Sequence, residues 1–268
     1  MKKLIIANWK VNPSTYREAE RLALEVSRFA KKNKRAEIVL CPPFVYVSSV
    51  KSHVSRTAKV GAQDCFWESK GPFTGEVSPA MLKNSGVDYV ILGHSERRRW
   101  LGETDEMVNK KVLAALKAGL KVILCVGEPQ RMAKGKEQRA RGAKTYVRRQ
   151  LEKNLRSVDN LPLALRSLLT IAYEPVWAIS TSGTGKIDTP EDAAEMARFI
   201  KNLLVAKPYT LNPRILYGGS VNARDIKSYL DMEYIDGVLV GGASIKAEEF
   251  KKIVEIANKS NQHGNGTI

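Results

Sequence analysis

Apolar positions along this chain follow two alternating rhythms. Short runs, largely apolar and without strict polar alternation, occupy 3-8, 37-41, 58-62, 88-93, 121-127, 168-174, 214-218 and 235-240. Such runs read as parallel strands buried on both faces. Between them lie amphipathic stretches of helical period at 15-32, 104-118, 136-155, 190-205, 222-230 and 246-258. Thr189-Pro190-Glu191-Asp192 gives one of these a recognisable start: an N-cap, a proline at the first helical position and acidic residues in the first turn. Strands alternating with helices in this number predict a closed (β/α)₈ barrel of the α/β class. A barrel gathers the carboxyl ends of all its strands on one rim, where its active sites lie. With no break in composition, residues 1-258 read as one domain and 259-268 as a polar tail.

Composition narrows the function classes. At 268 residues the chain is long enough for one large barrel core, and 43% hydrophobic residues is an ordinary globular value. No long uncharged apolar stretch suggests a bilayer span, and Leu4-Ile5-Ile6-Ala7 is too short for the core of a signal peptide. The expectation is a cytoplasmic, soluble protein. Cys41, Cys65 and Cys125 are scattered and lack C-x-x-C spacing, so they read as buried reduced thiols, with neither disulfides nor a metal site. The formal net charge of +16, from 44 Lys and Arg against 28 Asp and Glu, is less ordinary. Such a field attracts anions, either a phosphorylated substrate or nucleic acid. The densest basic stretch, Arg131 to Arg149, has few aromatic residues for base stacking beyond Tyr146 and reads as a solvated helix face.

Chemistry concentrates at strand ends. Glu174 closes the run Leu168 to Tyr173 and is followed by Pro175, which stops the strand; a carboxylate so placed suits a base. Tyr89 to Leu92 ends in Gly93-His94-Ser95-Glu96-Arg97, and Leu4 to Ala7 ends in Asn8-Trp9-Lys10. A base, an imidazole and a cation are the equipment for moving a proton beside a carbonyl. Glycine clusters follow each of the last three strands, at Gly183-Thr184-Gly185, Gly218-Gly219-Ser220 and Gly241-Gly242. Glycine lets backbone N–H groups approach a phosphate, and the loops after strands seven and eight are the usual phosphate site of a barrel.

Over nearly its whole length the chain resembles the triosephosphate isomerase family. The matching stretches are ANWK at 7-10, GAQD at 61-64, FTGEVSPAML at 73-82, ILGHSERR at 91-98, CVGE at 125-128, AYEPVWAI at 172-179, YGGSV at 217-221 and VGGAS at 240-244. The resemblance implies a TIM barrel that interconverts dihydroxyacetone phosphate and D-glyceraldehyde 3-phosphate through an enediolate, without cofactor or metal. Glu174 matches the family's base and His94 its electrophile, and a helix beginning at Ser95 favours an uncharged ring. Lys10 matches the cation near the substrate, with Asn8 as its polar partner. On an extended segment these two side chains share a face. Glu96 matches a carboxylate behind them that holds Lys10 or tunes proton relay. Gly183, Ser220, Gly241 and Gly242 match phosphate-binding positions, Trp177 a packed hinge, and Tyr217 with Ser220 the latch of the closed lid. Ser180-Thr181-Ser182 is an insertion before Gly183, so the lid is expected to be about three residues longer than the family pattern. Phe73-Thr74-Gly75-Glu76 matches a loop that supports Asn8 and Lys10 of a second copy, which implies a homodimer. His53 and His263 are left as surface residues. Two other readings stand beside this one: another phosphate-binding barrel enzyme, and a non-catalytic basic scaffold for nucleic acid.

Overall fold

The structure is a computed structural model and describes residues 1–33, 35–54, 56–129, 136–179 and 188–260. Its strands are β1 Lys3–Asn8, β2 Ala36–Cys41, β3 Lys59–Ala62, β4 Tyr89–Leu92, β5 Lys121–Val126, β6 Leu169–Tyr173, β7 Arg214–Tyr217 and β8 Gly237–Val240. They pair in sequence order, all parallel, and β8 returns to β1 to close the barrel. The sequence-derived runs match these strands to within about two residues at each end, the usual fraying of boundaries.

Helices fill the connections. They are α1 Tyr16–Ala30, α2 Val47–Val54, α3 Pro79–Asn84, α4 Ser95–Leu101, α5 Asp105–Lys117, α6 Lys136–Asn154, α7 Leu163–Arg166, α8 Pro190–Val205, α9 Ile226–Leu230 and α10 Ala247–Lys259. Local chemistry sets the starts. Thr15 and Glu18 form a reciprocal capping box on α1, and the Thr189 side chain accepts the Asp192 N–H ahead of Pro190 on α8. The expected helix over 222-230 begins only at Ile226. The Asp225 carboxylate accepts from the backbone N–H and the side-chain amide of Asn222, and Asn222 Oδ1 accepts the Arg224 N–H, a local turn that competes with helix. Three further helices escaped the periodicity because they are short: α2 is rich in Ser and Val, α3 has six residues, and α7 four. Lys259 completes α10 rather than opening the tail, and 261–268 lie outside the described residues.

Two apolar layers result. Leu4, Ile6, Val39, Ile91, Ile123, Ala172, Leu216 and Leu239 pack inside the barrel, while alternate residues such as Ile5, Val90, Ile171 and Val238 pack outward against the helices. Removing such a layer from water is the main term holding the fold. At the amino ends of the strands a polar cluster fills the mouth. Tyr89 donates to Glu37 at 2.6 Å, and Arg214 donates to Glu37 at 2.9 Å and to the Tyr89 oxygen at 3.1 Å. Lys121 joins them 3.3 Å from the phenol oxygen, and burial pushes that phenol's pKa up. The three cysteines are free and buried, as expected.

Candidate active site

The inward alternation of the strands continues past their carboxyl ends and sets the site. Two residues beyond inward Ile6 comes Asn8, and two beyond inward Ala172 comes Glu174. The same step leads from Ile91 to Gly93, from Cys125 to Gly127, from Leu216 to Gly218 and from Leu239 to Gly241. Glycine at these positions empties the top layer of the barrel. A Cβ on Gly127 would fall 1.7 Å from the Glu174 carbonyl oxygen, and one on Gly218 would fall 2.8 Å from Glu174 Cγ. The carboxylate therefore stands among bare backbone at the floor of a cavity of about 460 Å³. Asn8, Lys10, His94, Glu174, Ser220, Gly241 and Gly242 all line that cavity.

Glu174 is 2% exposed. Its Oε2 accepts the backbone N–H of Ser95 at 3.1 Å, while Oε1 lies 3.1 Å from His94 Nε2 and has no well-aligned donor among the described residues. His94 is the N-cap of α4, and its Nδ1 accepts the Glu96 N–H at 3.2 Å. An accepting Nδ1 leaves the ring proton on Nε2, so a neutral imidazole presents its N–H toward the cavity. The expected helix start at Ser95 is thus present, and its Glu96 N–H sets the tautomer by a hydrogen bond.

Lys10 reaches the cavity by a route the sequence reading did not foresee. The segment is not extended there: Lys10 has φ +52°, a left-handed conformation that costs a non-glycine residue roughly 1–2 kcal/mol. Asn8 and Lys10 meet because Asn8 Oδ1 accepts the Lys10 N–H at 3.0 Å. The ammonium then lies 2.5 Å from Glu96 Oε1. A side chain on Gly241 would begin 3.3 Å from Lys10 Cε, so this glycine also makes room.

Three supporting residues were missed individually. Gln63 donates to the Lys10 carbonyl at 2.8 Å and to the Cys41 carbonyl at 2.9 Å. Beside it Asp64 accepts from Lys111 at 2.9 and 2.8 Å and pairs with Arg97 at 2.8 Å; burial pushes its carboxyl up to about 6. Glu128 accepts from Trp177 at 2.6 Å and from Tyr173 at 3.1 Å, and burial pushes its carboxyl up as well. The signal for Gln63 was its place two residues past Gly61 on β3; that for Glu128 was its place two residues past Val126.

Trp177 is buried, as a packed hinge requires. Tyr217 is buried and stacks on Tyr229 at 4.2 Å between centroids. His53 is half-buried at the surface, its Nδ1 2.8 Å from the Ser49 carbonyl oxygen. Thr74 sits in an exposed loop away from the cavity. Gly183, the inserted Ser180-Thr181-Ser182 and His263 lie outside the described residues. Among the described residues no group of acidic, His or Cys side chains is arranged to hold a metal, and no helix is long and apolar enough to cross a membrane.

Residues 3–257 match the family described as triosephosphate isomerase. The chain belongs to the triosephosphate isomerase family. It is 48% identical over 261 residues to the triosephosphate isomerase of Caldanaerobacter subterraneus subsp. tengcongensis, covering 95% of this chain and 99% of that protein. The Aquifex aeolicus triosephosphate isomerase is 44% identical over 263 residues, with 95% and 99% coverage. That of Geotalea uraniireducens is 42% identical over 262 residues, with 96% and 100% coverage. Family membership makes the chain an enzyme of the isomerase class, and the closed eight-stranded barrel is the fold expected of it.

Proposed function

We propose that this chain interconverts dihydroxyacetone phosphate and D-glyceraldehyde 3-phosphate with Glu174 as base and His94 as electrophile. The observation that carries these roles is the pairing at 3.1 Å of a buried carboxylate and an imidazole whose Nδ1 accepts a backbone N–H, on one cavity wall, with the Lys10 ammonium on the same cavity. Glu174 takes a proton from C1 of dihydroxyacetone phosphate, and the C–H electron pair becomes the C1–C2 double bond of the enediolate. Charge develops on the C2 oxygen, where His94 Nε2–H donates; the ring then mediates proton exchange between the two oxygens. Protonated Glu174 returns its proton to C2, and the aldehyde forms at C1. Electrons are only rearranged within the substrate, so carboxylate and imidazole suffice for each step without a cofactor.

Lys10 supplies positive charge to the substrate's oxygen and phosphate, Asn8 orients it, and Glu96 holds it. Ser220, Gly241 and Gly242 serve the phosphate, together with Gly183. The net charge of +16 is read as attraction for this dianionic substrate rather than for nucleic acid. The working form is a cytoplasmic homodimer in which Thr74 of one copy supports Asn8 and Lys10 of the other, and residues 1-258 act as one catalytic domain. The exposed Val11, Phe73 and Trp100 give such a contact apolar surface.

The test is a coupled assay of the purified protein on each triose phosphate in turn. Turnover in both directions is expected. Turnover of neither would overturn the assignment, and turnover only of a longer sugar phosphate would move the chain to a different barrel chemistry.

A further inference from the structure

Glu174 borders two cavities, and Asn8, Lys10 and His94 line only one of them. The second holds about 510 Å³ and lies on the β4 and β5 side of the carboxylate, walled by Gly93 and Ser95 after β4 and by Cys125, Val126 and Gly127 at the end of β5. Among the described residues Glu174 alone belongs to both walls. A volume of this size is ordinary for a small-molecule site, typically about 300–1,000 Å³.

The polar groups of this second cavity are donors left over from bonds that hold the fold. Gln150 is 4% exposed; its Oε1 accepts the Gly127 N–H at 2.8 Å, and that bond assigns the other amide atom, Nε2, as a donor with no partner among the described residues. Arg98 gives Nε to the Gly93 carbonyl at 2.8 Å and Nη1 to Asp105 at 2.7 Å, while its buried Nη2 has no partner among the described residues. A buried donor without an acceptor is unfavourable, and a ligand that supplies the acceptor recovers that cost. Tyr146 closes the cavity from α6, and burial raises its phenol while the nearby Arg98 charge works against the rise. Arg98 and Arg99 against the single carboxylate of Glu174 leave the lining net positive, and Val126, Pro129 and Val176 make much of the rest apolar. Tyr146 is also a wall of a shallower groove of about 380 Å³ with Arg141 and Arg149, so the outer approach is positive too.

We propose that this second cavity is a binding site for a small organic anion with an apolar body. Its carboxylate is taken by Gln150 Nε2, the Tyr146 hydroxyl and the arginines, and its body lies against Val126, Pro129 and Val176. An occupant packs against Glu174 from the side away from Lys10, so it slows proton transfer without competing with substrate. That consequence rests on the reading of Glu174 as base; the binding does not.

The probe is 2-naphthoate, with uncharged 2-naphthylmethanol as comparator, titrated calorimetrically into the intact protein in saturating inorganic phosphate so that the first cavity is occupied. Naphthoate should bind roughly tenfold more tightly than the alcohol, because hydrogen bonds to a charged group are the stronger ones. In steady-state assays it should lower kcat with KM unchanged. The double variant Tyr146→Phe with Arg99→Gln should keep its basal kcat and bind naphthoate roughly tenfold more weakly. Arg98→Lys, which keeps the charge but loses the planar fork, makes the same test should the double variant fold poorly. No binding, displacement of naphthoate by phosphate, equal binding of the alcohol, or an affinity unchanged in the variants would overturn the proposal. Binding that passes these tests with kcat untouched supports the site and counts against Glu174 as the base, so the two readings fail separately.

Discussion

His94 Nε2 stands 3.1 Å from Glu174 Oε1, although the two side chains leave the barrel from β4 and β6. Both are buried, and each is held from behind by the first turn of α4. The Ser95 N–H is on the carboxylate and the Glu96 N–H is on the ring. One short helix thus sets the positions of base and electrophile together.

Shortening the base by one methylene tests how narrowly that distance matters. Glu174→Asp should lower kcat on the order of 10²-fold with little change in KM, the scale expected when a reacting group is withdrawn by about 1 Å. Steady-state kinetics on both triose phosphates measure it, and near-normal turnover would remove Glu174 from its role.

The two glycines flanking Glu174 should fail in different ways. On Gly218 a methyl would press on Glu174 Cγ from 2.8 Å, so Gly218→Ala should fold yet lose tenfold or more in kcat as the side chain is displaced. On Gly127 a methyl would collide with the Glu174 carbonyl at 1.7 Å, where only backbone can yield. Gly127→Ala should therefore lower the melting temperature or prevent folding, overpacking of this kind costing about 1–3 kcal/mol or more. Thermal unfolding followed beside kcat separates the two.

Asp64 gives a pH signature in stability. Burial raises its carboxyl from the ordinary 3.8 to about 6 in the folded chain, so between those values the folded state holds more protons than the unfolded one. Stability from this group is complete below about pH 4 and is lost as pH rises through 6, an effect of about 3 kcal/mol at most. Asp64→Asn removes that dependence. The difference in unfolding free energy between variant and parent, measured in urea at pH 4, 5, 6 and 7, should shift toward the variant as pH rises and level off above 6. A flat difference would mean that Lys111 and Arg97 keep Asp64 ionised throughout.

The barrel was legible because parallel strands buried on both faces leave uninterrupted apolar runs, and the runs ending at Asn8, Gly93 and Glu174 carry the site on their last inward step. The short helices α2, α3 and α7 were not, since eight residues or fewer show too little period to distinguish them from loops. The bent path of Lys10 was also hidden. Its left-handed backbone is hydrogen-bonded to Asn8 and to Gln63, the latter more than fifty residues away in sequence, and a residue of ordinary propensity gives no sign of the conformation it adopts among distant partners. Gln63 and Glu128 lay within recognised motifs, but their roles depend on which carbonyl or indole they touch, and spacing along one chain does not report that.

Glu37, Tyr89 and Arg214 stopper the mouth farthest from the reacting groups. Fastening and chemistry thereby occupy opposite poles of one cylinder. A substitution among these three should register in melting behaviour with no direct path to the reacting groups, so a hotter or colder habitat can be met first at the end that does no chemistry.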